Sequence, residues 1–132
     1  MTTRPRVLVA DDHRAMLDAL VQLLSRDFEV VAAVNDGLAA VDEAEQLEPD
    51  LLVLDIAMPG LNGIAAAARL KERGSKAKVV FVTNMRDTEF VQESLALGHI
   101  GFVTKDRLVA DLIPATRSVL AGETFISPSI PH

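Results

Sequence analysis

Short apolar runs alternate with amphipathic stretches five times along the chain, and this alternation restricts the fold more than any other feature of the sequence. The runs are "RVLVA" (6–10), "FEVVAAV" (28–34), "DLLVLD" (50–55), "KVVFVT" (78–83) and "GFVT" (101–104). They are apolar almost throughout and rich in β-branched residues, as strands covered on both faces are. Between them, "HRAMLDALVQLLSR" sets Met16, Leu17, Leu20, Leu23 and Leu24 at helical spacing. "LAAVDEAEQL", "IAAAARLKERG" and "TEFVQESLALG" read as helices too, and a last helix is expected from Leu108 to Ala121, with Pro114 inside its first turns. Breakers fall at the joints: Pro49 closes the second helix, and Gly74, Gly98 and Gly122 stop the next three. Buried strands joined by helical, right-handed crossovers give an α/β doubly wound sheet of five parallel strands with helices on both faces.

The 132 residues suffice for one domain, read as 1–122. The tail "ETFISPSIPH", with Pro128 and Pro131, reads as a docked end or as the start of a linker over 123–132. Several function classes are disfavoured by composition. There is no cysteine, so neither a disulfide framework nor thiolate chemistry is available. A net charge of −6 argues against a nucleic-acid surface on this stretch, and without Trp or Tyr stacking on bases or sugars is disfavoured. No apolar run approaches the ~20 residues of a membrane span. The start "MTTRPR" lacks the apolar core of a signal peptide, so a cytoplasmic protein is expected.

In open α/β sheets, sites form at the carboxyl ends of the strands near the switch in strand order. The first strand presents Asp11 and Asp12 there, the third Asp55, the fourth Thr83 and Asn84, and the fifth Thr104 and Lys105. The second offers only Asn35 and Asp36. Carboxylates converging on one rim repel unless a cation sits among them, and a hard divalent ion such as Mg²⁺ suits oxygen ligands. A lysine and a hydroxyl opposite them suit a tetrahedral anion. Taken singly, an aspartate after a strand is usually a helix cap, Thr83 strand-end packing and Lys105 a solvated charge. Asp55 resists that reading, because a carboxylate behind "LLVL" needs a partner. Together the groups point to phosphoryl chemistry, in which an aspartate can itself be the nucleophile.

"VLVADDH", "PDLLVLDIAMPGLNGI", "VVFVT" and "GHIGFVTKD" together resemble the receiver domain of bacterial two-component response regulators, over Arg6 to about Ala121. The fold implied is the flavodoxin-like receiver fold. Carried over by position, the resemblance makes Asp55 the phosphoacceptor, phosphorylated by a sensor histidine kinase. Asp11, Asp12, Asp55 and the backbone carbonyl of Ala57 would hold Mg²⁺, with Asp11 acting directly or through water. Thr83 would hydrogen-bond the phosphoryl group and Lys105 would pair with it. Phe102 occupies the place of the family's switch aromatic, which turns inward as Thr83 shifts; packing in the core is its other reading. Asn84 and Met85 would flank access to the site. Pro59 and Gly60 shape the turn after Asp55, and Gly63 opens the next helix. Two departures stand out: Asp106 follows Lys105 where many receivers have proline, which leaves a cis peptide there open, and Asn84 replaces a small residue.

"LAGETFISP" is similar to receivers of NarL/LuxR-type transcription regulators, in which a linker and a DNA-binding helix-turn-helix domain come next. The chain is therefore expected to be the receiver part of a longer regulator, or else a stand-alone receiver. Homodimerisation through the first and last helices is what similar regulators imply, with DNA contacted only through the further domain and no membrane partner. The expected role is a switch rather than an enzyme. A haloacid-dehalogenase-type phosphatase resembles D-x-D, but Ala57 stands in the second acid's place and there is no room for a substrate cap. A flavodoxin-like cofactor binder needs hydroxyls and amides in its first loop, where "DDHR" brings two carboxylates. A degenerate docking scaffold would not need the full acid, threonine and lysine set.

Overall fold

The computed structural model describes residues 4–84 and 88–128. In chain order the elements are β1 (Arg6–Ala10), α1 (Arg14–Leu24), β2 (Glu29–Val34), α2 (Gly37–Leu47), β3 (Leu51–Leu54), α3 (Gly63–Glu72), β4 (Lys78–Thr83), α4 (Thr88–Leu95), β5 (Ile100–Thr104), α5 (Leu108–Leu120) and β6 (Phe125–Ile126). A 3₁₀ turn, Lys105–Arg107, joins β5 to α5. The sheet runs β2-β1-β3-β4-β5-β6 with every pairing parallel. Strand order therefore reverses between β1 and β3, and the carboxyl ends of those two strands flank the switch point.

The five expected strands and helices all form, and the sheet gains a sixth strand. The tail continues past α5 as Phe125–Ile126, lying in register beside Gly101 and Phe102 of β5. Proline spacing and polarity concealed this pairing. A two-residue strand has no periodicity to detect, and only its neighbour supplies its hydrogen bonds.

Side chains alternate across the strands and divide the core in two. Leu8, Leu52, Leu54, Phe81 and Phe102 face α2, α3 and α4, meeting Val41, Ile64, Leu70 and Val91. Val7, Val9, Val53, Val80 and Val103 face α1 and α5, meeting Leu17, Leu20, Leu112 and Val119. Both layers are mainly aliphatic, with Phe81 and Phe102 in one and Phe28 in the other, and hydrophobic burial on both faces is the main source of stability. Cap chemistry sets the helix ends locally. Asp36 accepts from the Ala39 amide at 2.7 Å and Asn62 from the Ala65 amide at 2.8 Å, each satisfying a free N–H of the first turn. Before Pro49, Glu48 ends α2 in the left-handed region at φ 46°.

Two glycines decide how closely loops approach the switch point. A Cβ on Gly63 would lie 2.1 Å from the Asp55 carbonyl oxygen, and one on Gly37 would lie 1.9 Å from that of Leu61. Backbone cannot retreat from such contacts as a flexible side chain would. Gly63→Ala is expected to cost about 1–3 kcal/mol or more by overpacking. Urea denaturation should show a lower midpoint, and an unchanged midpoint would mean that the loop after Asp55 yields freely.

Candidate functional site

Asp11 and Asp55 stand side by side because β1 and β3 pair in register through Ala10 and Leu54, the residues immediately before them. The Asp55 amide donates to the Ala10 carbonyl at 2.9 Å, extending the ladder one step beyond the strands. Neither carboxylate meets much water: Asp11 is 0% exposed and Asp55 3%. Lys105, its side chain 8% exposed, comes from the end of β5 and places its Nζ 3.1 Å from Asp11 Oδ2 and 3.2 Å from Asp55 Oδ2. The contact with Asp55 is a hydrogen bond, whereas that with Asp11 is an ion pair without hydrogen-bond geometry, so Asp11 Oδ2 is buried with no hydrogen-bond partner among the described residues.

The electrostatics follow from this crowding. Burial above all, and then the neighbouring Asp11 charge, raise the Asp55 carboxyl above its ordinary pKa, although Lys105 and the Ala57 amide pull it down. Burial works to lower the Lys105 ammonium, but its close contacts with the Asp11 and Asp55 carboxylates outweigh it and raise the group. The raised lysine therefore stays charged between the two carboxylates.

Asp12 and His13 are exposed beside this pair. The His13 amide donates to Asp11 Oδ1 at 2.9 Å, and its ring Nδ1 lies 3.2 Å from Asp12 Oδ1. His13, not either aspartate, is the cap residue of α1, and it caps without a side-chain hydrogen bond. Ligand atoms of Asp11, Asp12, His13 and Asp55 all lie within 4.8 Å of one another. Three carboxylates, one with a buried oxygen that accepts no hydrogen bond among the described residues, make a donor set that fits a hard divalent cation. Ala57 sits on the loop after Asp55 and donates its amide to Asp55 Oδ1 at 3.3 Å.

The remaining sequence candidates lie along the same sheet edge. Thr83 ends β4, buried at 1% exposure, directly beside Thr104 in the ladder. Asn84 is exposed at the rim, and Met85 lies outside the described residues. Phe102 is 0% exposed, packed in the α2–α3–α4 layer on the strand next to Phe81. No peptide bond among the described residues is cis, so Lys105–Asp106 is trans. A roomier groove, lined by Glu45, Asp50, Arg73 and Lys78 among others, opens at the opposite sheet edge, where none of the candidates falls.

Sequence reasoning missed one cluster. Asp111, 5% exposed on α5, accepts two hydrogen bonds from Arg107 at 2.8 and 3.1 Å and a third from the Ser127 hydroxyl at 2.7 Å. The i, i+4 spacing of Arg107 and Asp111 was its only trace, and that spacing commonly marks a solvated pair.

A doubly wound sheet whose carboxyl edge sets a buried lysine between two aspartates, with a third aspartate at the rim, is an α/β domain with its polar cluster at the switch point. The chain belongs to the response regulator receiver domain family, whose pattern it matches over residues 7–117. It is 34% identical over 127 residues to the response regulator GacA of Pseudomonas viridiflava, covering 95% of this chain and 59% of that protein. The chain thus spans little more than half the length of this curated relative. The signal receiver domain of the putative response regulator NarL from Mycobacterium tuberculosis superposes with a TM-score of 0.87 at 28% identity, over 92% of this chain and 100% of that one. The CheX–CheY–BeF₃–Mg²⁺ complex from Borrelia burgdorferi contains a chain that superposes at 0.82 with 26% identity, covering 89% of this chain and 90% of its counterpart. The chain is thus a receiver region of the two-component type found in NarL- and GacA-like regulators, and such domains are regulatory. No helix among the described residues is long and apolar enough to cross a membrane.

The raised Asp55 carboxyl carries a stability consequence. Because its folded pKa lies above the unfolded value, its contribution is most favourable below the unfolded value and is lost as pH rises through the folded one. In metal-free neutral buffer Asp55→Asn should therefore raise the melting temperature by a few degrees, and the gap should close towards acidic pH. A variant that melts lower than wild type at neutral pH would show that the Lys105 pairing outweighs burial.

Proposed function

We propose that this domain is a phosphorylation-operated switch with Asp55 as its phosphoacceptor. The observation that carries this reading is the buried Asp55 carboxylate held 3.2 Å from Lys105 and beside Asp11 at the switch point of the sheet. An Asp55 oxygen attacks the phosphorus of a phosphohistidine on a sensor histidine kinase. The O–P bond forms as the N–P bond breaks, and the electron pair leaves with the donor imidazole. Lys105 keeps Asp55 ionised beforehand and pairs with the phosphoryl oxygens afterwards. Thr83 donates its hydroxyl to the phosphoryl group, and Phe102 holds the inward position on the adjacent strand.

Asp11, Asp12, Asp55 and the Ala57 carbonyl would hold Mg²⁺, whose bound charge offsets that of the phosphoryl oxygens. The Borrelia CheY complex, which contains both BeF₃ and Mg²⁺, supports this assignment by likeness. Asn84 flanks the approach to Asp55. The protein is proposed to be cytoplasmic, with output through a DNA-binding domain joined beyond residues 123–132. Self-association would run through α1 and α5, where Val109 is 83% exposed at the start of α5.

Intact mass spectrometry after incubation with acetyl phosphate and Mg²⁺ should show the gain of one phosphoryl group. Asp55→Asn should show none, and Asp12→Ala should remove the Mg²⁺ dependence together with most of the label. Label persisting on Asp55→Asn would place the acceptor elsewhere.

Lys105→Ala should still accept some phosphoryl group but lose the conformational response, since the lysine acts on the charge after transfer. Amide chemical shifts around Phe102, with and without beryllofluoride, test this. Equal shifts in variant and wild type would show that Lys105 is not the coupling residue.

A further inference from the structure

Neither the phosphoryl chemistry nor the core explains why a buried carboxylate, Asp111, is turned towards the C-terminal tail. Ser127, 0% exposed, ties that tail to β5 and α5 through three hydrogen bonds. Its amide donates to the Phe102 carbonyl at 2.8 Å, its Oγ accepts from the Thr104 amide at 3.2 Å, and its hydroxyl donates to Asp111 Oδ2 at 2.7 Å. Asp111 in turn holds Arg107 by two hydrogen bonds. Thr104 immediately precedes Lys105, and Arg107 closes the 3₁₀ turn that Lys105 opens. Lys105 is thus bracketed on both sides by groups that converge on a single serine from outside the five-strand sheet.

We infer that Ser127 and Asp111 are positioning residues for Lys105, through which the docked C-terminal tail and the phosphoryl site sense each other. The inference rests on the proposed function, because it concerns how Lys105 meets a phosphoryl group. With the Thr104 amide bonded to Ser127 and the Arg107 side chain bonded to Asp111, the lysine between them has less to order when an anion arrives, so the site is preorganised. Coupling of this kind is reciprocal: if tail docking favours anion binding at Asp55, anion binding favours tail docking by the same factor. The Asp111 carboxyl suits the task. Burial alone would raise its pKa, but the Arg107 and Ser127 hydrogen bonds more than offset that and lower it, so it remains an ionised acceptor. The arrangement also gives the tail a role that a passive tether lacks, since this is the segment that leads towards any domain that follows.

The test uses the whole 132-residue chain, its Ser127→Ala variant and, as a second change, Asp111→Asn. Beryllofluoride with Mg²⁺ is titrated while amide shifts and hydrogen exchange are followed at Thr83, Lys105 and Phe125 to Ser127. In wild type, loading should shift the amides of Thr83 and Lys105 and also slow exchange at Phe125 to Ser127. In Ser127→Ala the Thr83 shift should persist, the tail should exchange fast whether loaded or not, and beryllofluoride should bind about fivefold more weakly, the equivalent of one ordinary hydrogen bond. Asp111→Asn should weaken binding in the same direction. A merely structural tail would lower the melting temperature of both variants and leave beryllofluoride affinity unchanged, which overturns the inference. Tighter binding in Ser127→Ala overturns it as well, because the tail would then restrain Lys105 rather than position it. No response at Thr83 or Lys105 in wild type would sink the proposed function itself, and the inference with it.

Discussion

The Lys105 ammonium lies between two carboxylates that the sheet has already forced together. Parallel pairing of β1 with β3 sets Asp11 and Asp55 on neighbouring strand ends, and both are sealed from water. Adjacent strands sit about 4.8 Å apart, a spacing at which two buried like charges cannot coexist without a counter-charge. The cation that answers them comes from β5, with β4 between it and β3 in the sheet. Its presence at 3.1 and 3.2 Å therefore depends on the complete order of the sheet, not on local sequence. Such an arrangement is a constraint more than a source of stability. Buried ion pairs give back little beyond their desolvation cost, whereas removal of one partner strands the other and is expensive. Folding free energy comes instead from the two aliphatic layers, which lets the polar edge be arranged for chemistry.

Close backbone approach does the fine placement. Loops around the switch point lie so near one another at Gly37 and Gly63 that no side chain fits, and the loop after Asp55 is drawn down as a result. Hydrogen bonds from Met58 and Gly63 to the Ile56 carbonyl, at 3.1 and 2.9 Å, close that loop on itself. The Ala57 amide can then face the Asp55 carboxylate. On the other side, Phe81 and Phe102 fill the layer beneath the ends of β4 and β5, both fully buried. Thr83 and Lys105 thus stand on a packed floor, while Asp12, His13 and Asn84 face solvent at the rim.

How much of this could be read in the sequence divides along a physical line. Strands and helices were legible because burial on one or both faces leaves a period in the chain, and the five strand–helix units lie within a residue or two of their expected ends. The site's membership was legible because strand-end residues inherit their position from the topology: Asp11, Asp55 and Lys105 meet where parallel strands must end together. What escaped reading depends on pairing between distant segments. The sixth strand has only two residues, and the Arg107–Asp111–Ser127 chain, buried at Asp111 and Ser127, joins a helix to a tail sixteen residues further on. Exposure decides whether an Arg–Asp pair on a helix is decoration or architecture, and exposure is a property of the fold rather than of the spacing.

The charge inventory at the edge indicates where movement has to occur. Three aspartates face a single lysine, so the cluster carries an excess negative charge that one divalent cation would balance. Phosphorylation would replace the single charge of the Asp55 carboxylate with roughly −1.5 to −2 on three oxygens lying further from the strand. On the proposed reading that excess has to be met by donors able to advance. Asp11 and Asp55 are fixed by strands at the centre of the sheet, but Thr83 and Lys105 lie at the ends of β4 and β5, towards its β6 edge. Only differential contact can shift a population, so the response belongs to the elements whose contacts change, β4, β5 and whatever is fastened to them. What is fastened to β5 is the tail: Ile126 lies beside Phe102, and Ser127 bonds both Phe102 and Thr104. A charge added at the switch point would thus reach the C-terminal segment through two adjacent hydrogen-bonded strands, without any rearrangement of the aliphatic layers that keep the domain folded.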